Sequence, residues 1–413
     1  MRRLLPSLLL ALLACSEPPA PKTPTAVEAA DTIELVESVP LESTLDHVDV
    51  RDAAVVWPEM IDRAKATIDL EQFYASDADD GSATPLGNVI AALKRATKRG
   101  VKVRFLADKG MSAKYPAALD RLGKIGATVK TIDCAPRYGG VQHAKFFVVD
   151  GKESFIGSQN FDWRALSHIQ EMGLRMQSPA IAGALADVFA TDWALADAGT
   201  PAETRTKAHP TFTSKAASGE SFALYESPRG WLTNESRWDL DGIVRLLDGA
   251  KTSFDLQVMT YSTTNRDKTP FTTLDEAIRR AAGRGVKVRL LVAHWGAKGG
   301  APRAAIEALS AVPNIEVRVL TVPPASSGDI PFARVSHAKF FVVDGARAWV
   351  GTSNWEGDYF LKTRNVAIVT EGGALGPRLE RVFEDDWKSS YTAPLTRGGA
   401  AAPPPSGTGP APR

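Results

Sequence analysis

The chain contains the same nine residues twice: His143-Ala-Lys-Phe-Phe-Val-Val-Asp-Gly151 returns unchanged at His337–Gly345, 194 positions later. Only six histidines occur in the whole sequence (His47, His143, His168, His209, His294 and His337), so two of them in identical strings are not an accident of composition. Any fold must accommodate an internal duplication. Shorter matches extend it. Arg99-Gly-Val-Lys-Val-Arg-Phe-Leu106 is answered by Arg284–Leu291, Val188-Phe-Ala-Thr-Asp-Trp193 by Val382–Trp387, and the turn Gly157-Ser158-Gln159-Asn160 by Gly351-Thr352-Ser353-Asn354. Gly157 and Asp192 lie 35 positions apart, as do Gly351 and Asp386.

Each half alternates β-rich runs with helical periodicity. Strands are expected at 66–73, 101–107 and 128–132, with helices at 86–99 and 116–125; strands at 253–260, 286–292 and 315–322 and helices at 273–284 and 301–311 repeat that order. The fold class is therefore α/β: a duplicated domain with two mixed β-sheets flanked by helices and one active site between the halves. A length of 413 residues, 44% apolar and 23% charged, allows two ordinary cores. Lysine plus arginine number 49 against 48 acidic residues, so no overall basic excess marks a nucleic-acid binder, although a local groove can still be basic.

Arg2 and Arg3, an apolar run from Leu4 to Leu13 and then Ala14-Cys15 read as an export signal, residues 1–14, ending in a lipobox-like Leu12-Leu13-Ala14-Cys15. The expectation is an exported bacterial lipoprotein acylated at Cys15 and anchored in the outer membrane. Residues 15–45 then form a tether, 46–196 the first domain, 197–220 a linker, 221–392 the second domain and 393–413 a tail. With Cys15 acylated, Cys134 has no disulfide partner and reads as a packing residue.

Side chains alternate along a strand, so His143 and Lys145 share a face, as do His337 and Lys339, while Asp150 and Asp344 have the opposite parity. The aspartates complete the His-x-Lys-x4-Asp motif and are assigned to positioning it. Two imidazoles and two ammonium groups converging on one point suit a phosphodiester. The lysines balance the non-bridging oxygens, and Ser158, Asn160, Thr352 and Asn354 complete an oxygen cradle. One histidine attacks phosphorus and the other protonates the leaving alkoxide. Glu171 is assigned to orient His143 as a neutral nucleophile, and Asn365 occupies the matching place in the second half. Neither His-Glu-x-x-His nor a Cys/His cluster appears, so no metal and no cofactor is expected. Asp79-Asp80 and Asp385-Asp386 read as solvated charges; Phe161, Trp163, Trp355 and Tyr359 are aromatics near the site, suited to stacking or to core packing.

These motifs resemble the phospholipase D superfamily over roughly Val48 to Tyr391. The stretches GSQNFDWRAL, GVKVRLLVAHWG, IPFARVSHAKFF and GTSNWEGDYF look most like the animal phospholipase D three and four branch and are similar to poxvirus envelope phospholipases. That resemblance implies a phosphohistidine intermediate at His143, Lys145, His337 and Lys339. It also implies a phospholipid or a single-stranded nucleic acid, cleaved from its 5′ end, as substrate. The competing reading is a surface protein that binds lipid, nucleic acid or another anion in the same pocket without turnover.

Overall fold

A computed structural model describes residues 30–78, 83–198 and 213–396, together with residue 398. The export signal, Cys15, the first half of the tether, Asp79-Asp80, the centre of the linker and the tail beyond residue 398 lie outside the described residues. From Asp31 onward the chain forms one compact unit.

Two mixed sheets repeat one topology. The first runs, in spatial order, Arg51–Asp52, Thr32–Ser38, Glu171–Gln177, Glu153–Gly157, Phe146–Val149, Thr67–Gln72, Lys102–Asp108 and Thr128–Ile132. The second runs Thr213–Lys215, Ser221–Ser227, Asn365–Glu371, Arg347–Gly351, Phe340–Val343, Ser253–Val258, Lys287–Ala293, Ile315–Leu320 and Thr392–Pro394. In each, three parallel strands joined by helices meet an antiparallel meander that carries the repeated motif. The Phe-Phe-Val-Val core of the motif is buried on both faces because it lies mid-sheet: Phe147 and Val149 face the outer helices, and Phe146 and Val148 face the middle of the molecule.

That middle is a single core shared by both halves. The helices Pro179–Ala198 and Leu375–Lys388 contribute Leu185, Val188 and Phe189 from one side and Leu379, Val382 and Phe383 from the other. Each such side chain, fully withdrawn from water, contributes about 1.5 to 3 kcal/mol to the stability of the fold. Separate outer cores lie beneath Ala53–Arg63 and Pro85–Lys98 on one sheet and Asp239–Asp248 and Thr273–Gly283 on the other.

The expected strands and helices occur within one or two residues of their places. Three boundaries differ. Thr32–Ser38 falls in the segment read as tether yet pairs along its whole length with Glu171–Gln177, with Leu35 and Val36 buried; the low-complexity composition ends at Ala30, and the sheet starts directly after it. Thr213–Lys215 lies inside the expected linker and Thr392–Pro394 straddles the start of the expected tail; both are edge strands. The motif is also not strand throughout. His143-Ala144-Lys145 lies outside the strand Phe146–Val149, and His143 N–H bonds to the other half of the molecule.

Candidate active site

The arms bearing the two histidines are fixed from across the duplication. His143 N–H donates to Arg364 O at 2.9 Å, and Arg364 N–H returns a bond to Val141 O at 2.9 Å. His337 N–H donates to Gln170 O at 2.8 Å, and Gln170 N–H to Val335 O at 3.0 Å. The close approach demands glycine at position 140, where a Cβ would stand 2.3 Å from Lys362 O.

The rings are held the same way, and here the sequence reading is corrected. Glu171 does not orient His143; its Oε2 lies 2.8 Å from Nδ1 of His337. His143 Nδ1 instead meets Asn365 Oδ1 at 3.0 Å. The exchange follows from topology: Glu171 and Asn365 begin the strands whose preceding residues, Gln170 and Arg364, pair with the opposite motif.

The amide of Asn365 cannot be turned. Its Nδ2 donates to Tyr359 O at 2.8 Å and Thr363 O at 3.3 Å, while Thr352 Oγ1 donates to its Oδ1 at 2.8 Å. An oxygen therefore faces His143, so Nδ1 carries the hydrogen and Nε2 keeps its lone pair. Burial, with Lys145 and Lys339 close by, holds the His143 imidazole well below its ordinary value and thus neutral.

His337 stands against a carboxyl group. Burial pushes Glu171 up to about 8 despite the pull of Lys339 and Lys145, and burial with those same cations pushes the His337 imidazole well down. Below about pH 8 the pair therefore holds two protons, one between Oε2 and Nδ1 and one on Nε2 of His337, which makes Nε2 a donor.

Both lysines are buried. Lys145 Nζ donates to His143 O at 2.7 Å, and Lys339 Nζ to His337 O at 2.6 Å. Burial pulls Lys145 well below its ordinary value, with Lys339 adding repulsion, and pulls Lys339 to about 7 against the attraction of Glu171. An anion entering the site restores their charge. Among the described residues no group of three or more His, Cys, Asp or Glu side chains is placed to hold a metal ion.

Asp150 and Asp344 face away from the histidines, as their parity requires. Asp150 accepts from the N–H groups of Lys65, Ala66 and Thr67 at 2.7–2.9 Å, and Asp344 from those of Lys251, Thr252 and Ser253 at 2.7–3.2 Å. They clasp the turn ending each motif to the start of the neighbouring strand. The expected oxygen cradle is corrected in part. Ser158 Oγ bonds to Met172 N and O at 3.0 and 3.2 Å, and Thr352 Oγ1 to Asn365 Oδ1 and Val366 N, so both hydroxyls hold the strand of the orienting residue. Asn160 and Asn354 each keep a buried Oδ1 without a hydrogen-bond partner.

Of the four aromatics singled out, Phe161 and Trp355 are core and Trp163 packs on His168; Tyr359 alone touches a motif histidine, its ring 5.0 Å from that of His143. Phe73, its ring 4.8 Å from that of His143, gave no signal beyond ending a strand-like run. Asp386 is not solvated: it is 1% exposed and bonded to Gln170 and Gln257. Cys134 is buried, and burial pushes its thiol far up, as expected of a packing residue.

Two half-sites that complete each other, each with a buried His-Lys pair, define a class of phosphodiesterases whose single centre lies at the joint of a duplicated α/β fold. The chain belongs to the phospholipase D superfamily, its residues 58–193 and 243–387 matching the family described as "Cardiolipin synthase, PLD-like domain". It is 32% identical over 391 residues to Phospholipase D Z of Dictyostelium discoideum, covering 88% of this chain and 91% of that protein. It is 31% identical over 393 residues to the 5'-3' exonuclease PLD3 of Bos taurus, covering 87% and 80%, and 30% identical over 403 residues to the 5'-3' exonuclease PLD4 of Mus musculus, covering 88% and 79%. It thus falls with the animal three/four branch and is a phosphodiester hydrolase. The fold is shared with the phosphatidylserine synthase of Haemophilus influenzae, at a TM-score of 0.59 and 12% identity over 83% of this chain and 85% of that one.

Proposed function

We propose that the protein cleaves phosphodiesters through a phosphohistidine on His143, with His337 as general acid and then general base. The observation that carries this reading is the unequal support of the two rings. Asn365 fixes a neutral tautomer with a free Nε2 lone pair on His143, and Glu171 keeps a proton available at His337. His143 Nε2 bonds to phosphorus as the bond to the leaving oxygen breaks, and that oxygen takes the Nε2 proton of His337 while the shared proton settles on Nδ1. Water, deprotonated by His337, then attacks phosphorus and releases His143. Lys145 and Lys339 neutralise the non-bridging oxygens throughout. The diester is carried by a phospholipid or by the 5′ end of single-stranded nucleic acid, in keeping with the names of the relatives.

Trapping with an alkaline denaturing quench, which preserves the acid-labile P–N bond, followed by mass spectrometry tests the assignment: phosphate is expected on His143 in the native protein, and also in His337→Ala given a good leaving group. Phosphate on His337 reverses the roles, and none on either means direct attack by water. Phosphatidylcholine vesicles and a 5′-hydroxyl oligonucleotide, each with excess EDTA, separate the substrates. Export and acylation at Cys15 rest on the N-terminal sequence; Cys15→Ser is expected to release the protein from the membrane fraction.

A further inference from the structure

The repeated Val-Phe-x-x-Asp-Trp segment has no part in the chemistry above, although its two aspartates, Asp192 and Asp386, are 0% and 1% exposed. Each reaches into the other half. Asp192, in Pro179–Ala198, accepts from Arg364 Nε at 2.7 Å through Oδ2 and from Trp231 Nε1 at 2.6 Å through Oδ1. Asp386, in Leu375–Lys388, accepts from Gln170 Nε2 at 2.9 and 2.8 Å and from Gln257 Nε2 at 2.8 Å. Gln170 and Arg364 are the residues whose carbonyls receive His337 N–H and His143 N–H, and they immediately precede Glu171 and Asn365. Successive strand residues point to opposite faces, so one residue of each pair is gripped from the core while the next grips a histidine ring.

We infer that Asp192 and Asp386 are positioning residues: reciprocal braces that set His143 and His337 at their working separation, Asp192 through Arg364 and Asp386 through Gln170. Displacing residue 364 moves both the main-chain acceptor of His143 and its Asn365 support; displacing residue 170 does the same to His337 and Glu171. The helices that form the shared core thereby fix the centre as well. The inference rests on the phosphohistidine reading, and the two fail differently.

The test is single-turnover phosphoenzyme formation in Asp192→Asn and Asp386→Asn, normalised to the phosphorylatable fraction. Bis(p-nitrophenyl) phosphate, whose phenolate leaves unaided, is compared with an alkoxide diester that the native enzyme turns over, either lysophosphatidylcholine or dithymidine monophosphate. Displacing the nucleophile should slow both substrates in Asp192→Asn by about a hundredfold. Displacing the acid should slow the alkoxide by about a hundredfold in Asp386→Asn, and the phenolate far less. Should either variant fail to fold, Trp231→Phe and Gln170→Met each remove one contact of the same brace and carry the same two patterns. Equal losses on both substrates in all variants, tracking thermal stability, would mean a structural role alone and overturn the inference, as would native rates. A His143→Ala enzyme with native rates sinks the phosphohistidine reading itself; an inactive one beside fully active aspartate variants sinks only the braces.

Discussion

His143 and His337 occupy identical nine-residue strings, yet one faces an amide and the other a carboxyl group. The string fixes backbone, burial and the neighbouring lysine, all shared by the two half-sites. What separates the rings is the residue supplied from across the joint: the repeat provides two equal groups, and one difference, Glu171 against Asn365, sets them apart. The supports differ in the same direction. Arg364, fully buried, is paired with Asp192 and Glu226, whereas its counterpart Gln170 is neutral and, among the described residues, bonds to one acid, Asp386.

The largest consequence is for Glu171→Gln. An amide cannot share the proton, so turnover of alkoxide diesters should fall by about a hundredfold to ten-thousandfold, with much less loss on p-nitrophenyl esters. In the native enzyme the acid must be protonated, so alkoxide turnover should decline as pH rises through about 8, where Glu171 titrates. The acid side should extend well below pH 6.5, because activity there needs only that the depressed His143 stay neutral. A pH–rate profile for both ester types checks this, and an alkaline limb of equal size in both would contradict an acid at His337.

Exchanging the supports is expected to cost stability unequally. Arg364→Gln installs the residue of the other half but leaves Asp192 and Glu226 buried without their cation, with Glu71 nearby; about 3 to 5 kcal/mol should be lost. Gln170→Leu removes neutral donors from Asp386, which retains Gln257, and should cost about 1 to 3 kcal/mol. Urea unfolding monitored by tryptophan fluorescence measures both, and equal losses would show that the charged brace has no special place in the fold.

How much of this was legible in the sequence depends on the range of the interaction. Strand and helix positions, the duplication and the parity of Asp150 against His143 follow from spacing along the chain, and each stands where expected. The crossing of Glu171 to His337 does not, because an equal offset of 28 residues from His143 to Glu171 and from His337 to Asn365 suggests pairing within a half, and only the joint between sheets reverses it. Asp386 misled for a similar reason: it follows Asp385 near a helix end, where charges are usually solvated, but one points outward and the other into the shared core. Thr32–Ser38 was hidden by the low-complexity segment before it.

Asn365→Asp brings the first half-site towards the second. A carboxylate against Nδ1 favours the imidazolium, raising the pKa of His143, so the nucleophile is lost at higher pH than before. The acid limb should move up by about one to two pH units, with native rates approached again on its alkaline side. An unmoved limb would mean that another group fixes the state of His143.

The smallest difference lies in the clasps. Asp150 and Asp344 bind equivalent backbone amides, but Asp344 also pairs with Arg347 Nη2 at 2.6 Å and accepts from Thr252 Oγ1 at 3.0 Å. Both carboxyls are held below their ordinary values, by backbone amides that outweigh partial burial, Asp344 at about 2. A depressed folded-state value contributes stability above the unfolded value and loses it as pH falls, so the Asp344 contribution is complete above about pH 4 and gone below about 2. At neutral pH, Asp344→Asn should therefore destabilise more than Asp150→Asn, by about 1 kcal/mol, the difference being one largely buried ion pair and one hydroxyl bond. The gap should close in acid, and each variant should keep its rate per folded molecule, since neither carboxylate faces the histidines. A rate loss in either that exceeds its loss of folded protein would give these aspartates a part in the chemistry that the geometry denies them.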